Sequence, residues 1–290
     1  MLSHDEVREL NLTANSIRQN IIKMLTEAGS GHSGGPLGMA DVFTTLYFKV
    51  MNIDPQNPGM GDRDRLVLSN GHICPVLYAT MAQRGYFPVE ELMTLRKFGT
   101  RLQGHPHREA LPGLETTSGP LGSGLSQASG MALAAKMDGN AWRVYCLMSD
   151  GEHDEGNVWE AVLCAAKYKL NNLTVIMDRN YIQIDGRTED VMPLDSVKQK
   201  YQAFNWNVIE VDGHDVNQIT RACERAKLTE DRPTIIIANT IPGKGVSYME
   251  NRFEWHGNPP DLMDVEGAPP KGEQAKVALE ELEKIREGIN

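Results

Sequence analysis

The sequence predicts an α/β fold in which a doubly wound, mostly parallel sheet carries helices on both faces. From residue 142 onward, short apolar runs typical of buried strands alternate with longer segments of helical periodicity. Such alternation implies right-handed crossovers between parallel strands. The chain has 290 residues and a hydrophobic content of 40%, enough to bury a substantial core. We expect one domain over residues 1–270 and a charged helical tail over 271–290.

The first half of the chain is predicted to be mainly helical, with long polar loops. Helices are expected over 5–28, 37–51, 75–84 and 123–137, and a short strand over 66–68. Gly29 can end the first helix in a left-handed conformation. Residues 99–120 form a loop rich in Gly, His and Pro, and long loops in compact domains are often functional.

The second half supplies the alternation of strands and helices. Strands are expected over 143–148, 173–177, 207–211 and 234–238. Helices are expected over 156–170, 193–204 and 215–228. No internal repeat or low-complexity linker interrupts this pattern.

Composition and charge exclude some classes of partner. The chain has 39 acidic and 29 basic residues, a net charge of −10, and no basic run longer than two residues. Nucleic acid is not an expected partner, because binding to a phosphate backbone needs a clustered basic face. No apolar run reaches the ~18 residues of a membrane span, and there is no signal core. The acidity, and four cysteines without a CxxC pair, favour a cytoplasmic protein with free thiols.

Two polar residues follow neighbouring predicted strands. Asp150 comes after the apolar run 144–148, and Asn180 follows the run 173–177. In a parallel sheet both would lie at one carboxyl edge, where α/β folds bind ligands. Carboxylate and amide oxygens suit Mg²⁺ or Ca²⁺, and so few protein ligands would leave coordination positions for diphosphate oxygens. A helix cap at Asp150 and an ordinary turn at Asn180 explain the same spacing equally well.

Histidines, acids and glycines in the loops are further candidates. Five of the eight histidines lie in Gly- and Pro-rich loops: His32, His72, His105, His107 and His256. Taken singly, each histidine is most simply explained as an ordinary loop residue. A group of histidines near a pocket can instead bind phosphate or move protons. Glu155 and Glu160 flank the start of a predicted helix. The simpler interpretation is that both are surface acids that offset the helix dipole. The glycines of 119–124 precede a helix whose amides favour a diphosphate, although the motif is not GxGxxG.

Together these motifs resemble the N-terminal, diphosphate-binding half of the transketolase family. Similar segments occur in the family's order: SGHSGGPLG at 30–38, LSNGH at 68–72, GHP at 104–106, GPLG at 119–122 and IQIDG at 182–186. The stretch from Asp150-Gly151 to Asn180 is similar to the family's thiamine diphosphate motif. The resemblance extends from about residue 10 to about residue 258.

The resemblance implies a metal site and a site for thiamine diphosphate. Asp150, Asn180 and the backbone carbonyl of Ile182 would hold Mg²⁺, for which Ca²⁺ or Mn²⁺ would be substitutes. Gly151 and His72 would contact the diphosphate. Three further residues would complete the cofactor site, with Leu121 supporting the bent cofactor, Gly119 facing its aminopyrimidine, and Ile184 adding a contact.

The same resemblance assigns catalytic roles. His32, His105 and His256 would line the substrate channel with His72, binding sugar hydroxyls or moving protons. Glu155 and Glu160 would lie near a subunit interface and link two sites, which reverses their interpretation as surface acids. The implied reaction transfers a two-carbon ketol unit from a ketose, expected to be phosphorylated, to an aldose.

Two departures from the family's pattern matter. Ser149 stands where the family usually has glycine. The chain is also about half the family's length, and it stops before the pyrimidine-binding and C-terminal domains. It therefore resembles the N-terminal subunit of a split transketolase, expected to form a heterotetramer with a subunit that carries those domains. There are two alternatives. One is a subunit of a deoxyxylulose-phosphate synthase or of a 2-oxo acid dehydrogenase, and the other is a non-catalytic relative. The His105 loop and His256 favour transketolase.

Overall fold

The fold is built on a five-stranded parallel sheet, in a computed structural model that describes residues 2–289. The strands of the sheet lie in the order β1-β2-β3-β7-β6, and β4 and β5 form a separate antiparallel hairpin. Their bounds are β1 (Arg65–Leu68), β2 (Val144–Ser149), β3 (Leu173–Arg179), β4 (Ile182–Gln183), β5 (Gly186–Arg187), β6 (Asn207–Asp212) and β7 (Thr234–Asn239). The order requires crossover connections, as the alternating pattern predicted.

Ten α-helices and several short turns connect the strands over residues 2–289. The helices are α1 (His4–Ala28), α2 (Gly34–Gly38), α3 (Ala40–Thr45), α4 (Cys74–Arg84), α5 (Ser123–Met137), α6 (Gly156–Lys167), α7 (Thr188–Val191), α8 (Val197–Ala203), α9 (Val216–Lys227) and α10 (Gln274–Glu287). None of these helices is both long and apolar enough to cross a membrane. Gly29 ends α1 with φ +60°, as predicted.

Three predicted helices differ in detail. The segment 37–51 is divided into α2, α3 and a π-helical turn over Leu46–Val50. Gly38 lies at this break, where an added Cβ would come within 3.0 Å of the Ile241 carbonyl oxygen. Helix α6 ends at Lys167, because Lys169 adopts a left-handed φ of +49°. Helix α8 starts only at Val197, where the Ser196 side chain accepts a hydrogen bond from the Gln199 amide.

Side chains of each strand alternate between two hydrophobic cores. Tyr145 and Leu147 of β2 belong to the core formed with α1, α3, α4, α9 and α10. Val144, Cys146 and Met148 belong to the core formed with α5, α6 and α8. Both faces of the sheet are therefore covered, and the predicted doubly wound α/β fold is confirmed.

Helix α10 packs against α1. The Asn15 side-chain amide donates to the Leu282 carbonyl oxygen at 3.0 Å, and the side chains of Leu282 and Ala278 are buried in the first core. The sequence segment expected to be a tail therefore contributes to this core. The division of the chain into a domain over 1–270 and a tail over 271–290 stays a prediction.

Leu282→Ala tests how firmly α10 is docked. We expect the free energy of unfolding to fall by about 2–4 kcal/mol, because the substitution leaves a cavity between α10 and α1. Ile285→Ala on the same helix is the matched control; its side chain is 45% exposed, and we expect a loss below about 1 kcal/mol. Urea denaturation measures both, and equal losses would contradict the docking.

Candidate cofactor and substrate site

A cavity of about 370 Å³ opens at the carboxyl ends of β1, β2 and β3, where open α/β sheets bind their ligands. Most of the predicted site residues line this cavity, although the first and the last of them are more than 200 positions apart in the sequence. These are His32, His72, His105, Gly119, Leu121, Gly151, Ile182, Ile184 and His256. Ser149, Glu152, Gln183 and Asp185 also line the cavity.

The Asp150 carboxylate is fully buried beneath this cavity. Its Oδ1 accepts a hydrogen bond from the Gly151 amide at 2.7 Å, and its Oδ2 accepts from the Tyr181 amide at 2.8 Å. Arg179 donates to the same Oδ2 at 3.1 Å. The parallel register explains this contact, because Ser149 of β2 is paired with Asp178 of β3. Asp150 and the segment that follows β3 are thus brought together, as the sequence predicted.

Tyr181 makes the turn that carries Asn180 and Ile182. Its φ is +62°, a left-handed conformation that is costly for a residue with a bulky side chain. The Arg179 guanidinium lies 4.1 Å from the centre of its ring, and its hydroxyl donates to the Asn239 side chain at 3.1 Å. These contacts hold the turn, in which the Asn180 Oδ1 accepts from the Ile182 amide at 3.0 Å.

Buried negative charge is concentrated at this edge. The Asn180 amide donates to Asp178 at 2.8 Å, and burial, followed by the nearby Asp150, raises the pKa of Asp178 to about 7. Burial also raises the pKa of Asp150, in spite of Arg179. A divalent cation would offset this charge. Oxygens of Asp150, Asn180 and Ile182 are hard ligands of the kind that such a cation prefers. Within residues 2–289 no group of three His, Cys, Asp or Glu side chains is suited to a metal.

Three histidines form a compact cluster in the cavity. The ring centres of His32 and His72 are 4.9 Å apart, and that of His256 lies 5.6 Å from His32 and 5.5 Å from His72. Burial, and then the neighbouring charges, lower the pKa of His32 to about 4. Burial lowers the pKa of His72, His105 and His256 as well. These imidazoles are therefore neutral at pH 7, and each can donate one hydrogen bond and accept one.

Two distant loops meet to place His32 beside His256. The Ser33 hydroxyl lies 2.6 Å from the Asn258 carbonyl oxygen and 3.1 Å from that of Trp255. A Cβ on Gly34 would come within 3.1 Å of the Trp255 carbonyl oxygen, so the close approach favours glycine. In the described chain the Nδ1 atoms of His32 and His256 are buried without a hydrogen-bond partner, which leaves them free for a ligand.

Glu152 connects three loops of the site, and no motif of the sequence pointed to it. Its buried carboxylate accepts hydrogen bonds from the Ser69 hydroxyl, from the Gly122 amide and, at 3.2 Å, from the Ser149 amide. Burial raises its pKa to about 7. In the sequence Glu152 is one acidic residue in the loop that follows β2, and acidic residues in loops are commonly exposed.

The glycine loop approaches the sheet closely beside Glu152. Gly122 has φ +80°, and a Cβ on Gly124 would lie 2.4 Å from the Cβ of Ser69. Both positions therefore need glycine. Next to the loop, the side-chain amide of Asn70 and the hydroxyl of Ser118 are buried without partners within the described chain. These unpartnered polar atoms add to the donors and acceptors available to a polar ligand.

Glu155 and Glu160 lie outside the cavity. Glu155 stands at the N-cap position of α6 without a side-chain capping bond, and its side chain is exposed. Glu160 is exposed on the outer face of α6, where it lines a separate shallow cavity with Ser129 and Cys164. Their proposed roles at a subunit interface stay predictions.

Fold and site together define an α/β protein with a candidate ligand cavity at the carboxyl edge of a parallel sheet. The chain belongs to the transketolase family, since the family model described as "Transketolase, thiamine diphosphate binding domain" matches residues 10–271. This confirms the resemblance identified in the sequence.

Similar proteins include both separate subunits and single-chain enzymes. The chain is 44% identical over 248 residues to the 6-deoxy-6-sulfo-D-fructose transketolase subunit SqwG of Clostridium sp. (strain MSTE9), covering 86% of this chain and 90% of the relative. It is 40% identical to one subunit of the apulose-4-phosphate transketolase of Phocaeicola vulgatus, covering 98% of this chain and 99% of the relative. The transketolase structure from Leishmania mexicana matches with a TM-score of 0.83 and 32% identity, covering 97% of this chain but only 46% of that one.

Glu152→Ala tests the role of the buried carboxylate. We expect the free energy of unfolding to fall by about 3 kcal/mol, because three donors lose their acceptor inside the protein. Glu155→Ala, three positions later and exposed, is the matched control and is expected to change stability by less than about 1 kcal/mol. Chemical denaturation compares the two, and similar values would show that Glu152 does not connect the loops.

The depressed pKa of His32 predicts a loss of stability in acid. Below pH 6.5 the unfolded chain protonates this histidine, whereas the folded protein resists protonation down to about pH 4. The free energy of unfolding should therefore fall from pH 6.5 to pH 4 by about 2 kcal/mol more than in His32→Gln, and the difference should be constant above pH 7. The raised pKa of Glu152 acts in the opposite direction in both proteins and cancels. A constant difference across this range would contradict the prediction.

Proposed function

We propose that this chain is the N-terminal subunit of a two-subunit transketolase, which transfers a two-carbon ketol unit from a ketose to an aldose. The observation that carries the proposal is the histidine cluster directly beside the Asp150–Asn180 turn. Support comes from length as well, because the chain spans nearly the whole of two relatives named as transketolase subunits but less than half of the Leishmania mexicana chain.

We propose thiamine diphosphate and Mg²⁺ as the cofactors, with Ca²⁺ or Mn²⁺ as substitutes. Asp150, Asn180 and the carbonyl of Ile182 would hold the cation, and Gly151 and His72 would bind the diphosphate. When bound, the cofactor supplies a carbanion centre that can break and form a carbon–carbon bond next to a ketone. The buried carboxyl groups of Asp150 and Asp178 support a cation, since within residues 2–289 Arg179 is paired with Asp150 and no cation is paired with Asp178.

The rest of the cavity would position the cofactor and the sugar. Leu121 would support the cofactor from one side, Gly119 would face its pyrimidine ring, and Ile184 would cover it from the open side. The neutral imidazoles of His32, His105 and His256 would bind sugar hydroxyls and move protons to and from the reacting oxygens. Their depressed pKa values support the binding role, because a neutral imidazole offers one donor and one acceptor to a sugar hydroxyl.

We propose a partner that carries the pyrimidine-binding and C-terminal domains, in a heterotetramer of two chains of each kind. Glu155 and Glu160 would then lie near the interface and link two sites. Both acids are exposed here, which a role at an interface requires. The assembly would act in sugar metabolism of the pentose phosphate type in the cytoplasm.

We propose that the ketose donor carries an anionic group. The names of the two subunit relatives point to this class, because one acts on a sugar phosphate and the other on a sulfonated sugar. Such a donor would place its carbonyl end among the histidines and its charged end toward solvent.

Two other functions compete with this proposal. A subunit of a deoxyxylulose-phosphate synthase or of a 2-oxo acid dehydrogenase would use the same cofactor, and a non-catalytic relative would keep the fold alone. The placement of His105 and His256 on one cavity favours transketolase. Product formation that depends on pyruvate, in the complex with the partner, would favour the first alternative.

The decisive experiment compares the chain alone with the chain and its partner. With thiamine diphosphate and Mg²⁺ present, we expect ketol transfer only in the complex, because the chain matches only 46% of the length of the Leishmania mexicana transketolase. Appreciable transfer by the isolated chain would contradict the split assembly.

Asp150→Ala tests the proposed anchor. We expect calorimetry to show cofactor binding to the complex weakened by more than about 100-fold, since a metal ligand is lost. Asp138→Ala removes an exposed carboxylate and should bind as the parent does. An unweakened Asp150→Ala complex would overturn the assignment, and a parent complex that binds no cofactor would favour a non-catalytic relative.

A further inference from the structure

A hydrogen-bonded network that the proposed reaction does not use joins α1, α3 and the loop between β6 and α9. Arg18 of α1 donates to both carboxylate oxygens of Asp41 in α3, with its Nη1 3.2 Å from Oδ1. The Nδ1 of His214, in the loop before α9, lies 2.8 Å from Oδ2 of the same carboxylate. None of the three side chains is more than 13% exposed. Although burial opposes it, the charge of Arg18 and the hydrogen bond from His214 lower the pKa of Asp41, so the carboxylate is ionised at pH 7.

The other ring nitrogen of His214 bonds to the backbone. The Ile241 amide donates to Nε2 at 2.8 Å. Because an amide N–H can only donate, Nε2 must carry the lone pair of the ring, and the proton must lie on Nδ1, where it is donated to Asp41. The Asp41 carboxylate therefore favours the tautomer of His214 that can accept the hydrogen bond from Ile241.

Ile241 lies at the start of the segment that leads from β7 to His256. Two further contacts attach this segment to the glycine-rich loop after α1. The Gly243 amide donates to the Gly34 carbonyl oxygen at 2.9 Å, and the Ser33 hydroxyl lies 2.6 Å from the Asn258 carbonyl oxygen. The bond to His214 thus fixes the beginning of the segment, and the bond from Ser33 fixes its end.

The position of the His256 ring depends on this backbone. Within residues 2–289 its Nδ1 is buried without a hydrogen-bond partner, so no bond at this atom holds the ring in place. The ring nevertheless lies with its centre 5.5 Å from that of His72, in the middle of the cluster. A group that handles substrate in such a cluster loses much of its effect when it is displaced by about 1 Å.

We propose that His214 is a positioning residue of this site, which acts through the Ile241 amide to hold the segment that carries His256. Asp41 and Arg18 support it by keeping the proton on Nδ1. An ion pair between Arg18 and Asp41 alone would stabilise α1 against α3, whereas His214 extends the network to the backbone of the site. The inference rests on the proposed function, in which His256 binds sugar hydroxyls and moves protons.

The test compares His214→Asn with the parent protein, each reconstituted with its cofactors and the partner subunit. Asparagine can still donate to Asp41, but its shorter side chain does not reach the Ile241 amide. The donor is fructose 6-phosphate or 6-deoxy-6-sulfofructose, whichever the parent complex turns over. We expect kcat to fall about 10- to 100-fold, as when a reacting group is misplaced. Calorimetry should give an unchanged affinity for thiamine diphosphate.

A double-mutant cycle separates positioning from general damage. If His214 acts through His256, then adding His214→Asn to His256→Asn should lower kcat by less than about twofold. An equal fold-loss in the parent and in the His256→Asn background would overturn the proposal. His214→Gln supplies an amide oxygen that can accept from Ile241, and its kcat should lie between those of the parent and His214→Asn. A His214→Gln variant as slow as His214→Asn would contradict the role of the acceptor.

Asn172→Ala is the matched control for lost stability. It also removes a side-chain hydrogen bond between two elements, from the start of β3 to the Ala132 carbonyl oxygen of α5 at 2.9 Å, but on the opposite face of the sheet. We expect it to lower the unfolding temperature and to leave kcat within about twofold of the parent. A fall in kcat as large as that of His214→Asn would show that lost stability is the cause and would refute the inference.

An NMR measurement on the chain alone distinguishes failure of this inference from failure of the proposed function. If the parent complex turns over no ketose, the proposed function fails, but the contact through Ile241 can still be tested. The His256 imidazole signals, assigned by their loss in His256→Asn, should shift in His214→Asn and stay in place in Asn172→Ala. Unchanged signals in His214→Asn would show that His214 does not position His256.

Discussion

The burial of the Asp150 carboxylate is the constraint on which the rest of the site depends. A charged group with no exposed surface must find donors inside the protein, and here they come from the segment that follows the adjacent strand. The hydrogen bonds that the Asp150 carboxylate needs therefore fix the positions of Arg179 and Tyr181. It also fixes the turn that presents Asn180 and Ile182, even though that turn needs a left-handed tyrosine. Local backbone strain is tolerated because the hydrogen bonds of a buried charge require it.

A second buried carboxylate, that of Glu152, fixes the positions of the neighbouring loops in the same way. It joins the end of β2, the polar loop after β1 and the start of α5 through one side chain. The histidines come from four loops that converge above these connections. Since their surroundings are largely dehydrated, the imidazoles are neutral, and their chemistry follows from the packing of the loops. Structure and electrostatics of the site thus have a common origin in burial.

Much of this architecture could be predicted from the sequence, and the limits have physical reasons. Strand and helix periodicity depends on local pattern, so the elements and the doubly wound sheet were predicted with small errors at the ends. Asp150 and Asn180 could be placed at one edge because parallel strands align their carboxyl ends. Glu152 could not be found this way. Its importance depends on which loops fold over it, and a charged residue in a loop has the same local pattern when it faces solvent. The break between α2 and α3 likewise depends on a contact of Gly38 with a loop some 200 residues away.

The bond between the Gly151 amide and the Asp150 carboxylate has a consequence for how ligands would enter. The proposed roles divide this pair, with the amide turned to a diphosphate and the carboxylate oxygen to a cation. A diphosphate that took the amide would break the bond and remove a donor from the Asp150 carboxylate, and a cation bound to that carboxylate would compensate for the loss. Cation and diphosphate would therefore bind with positive cooperativity, and by linkage each would increase the affinity for the other by the same factor. A single hydrogen bond within the chain would in this way favour arrival of the cofactor as a metal complex.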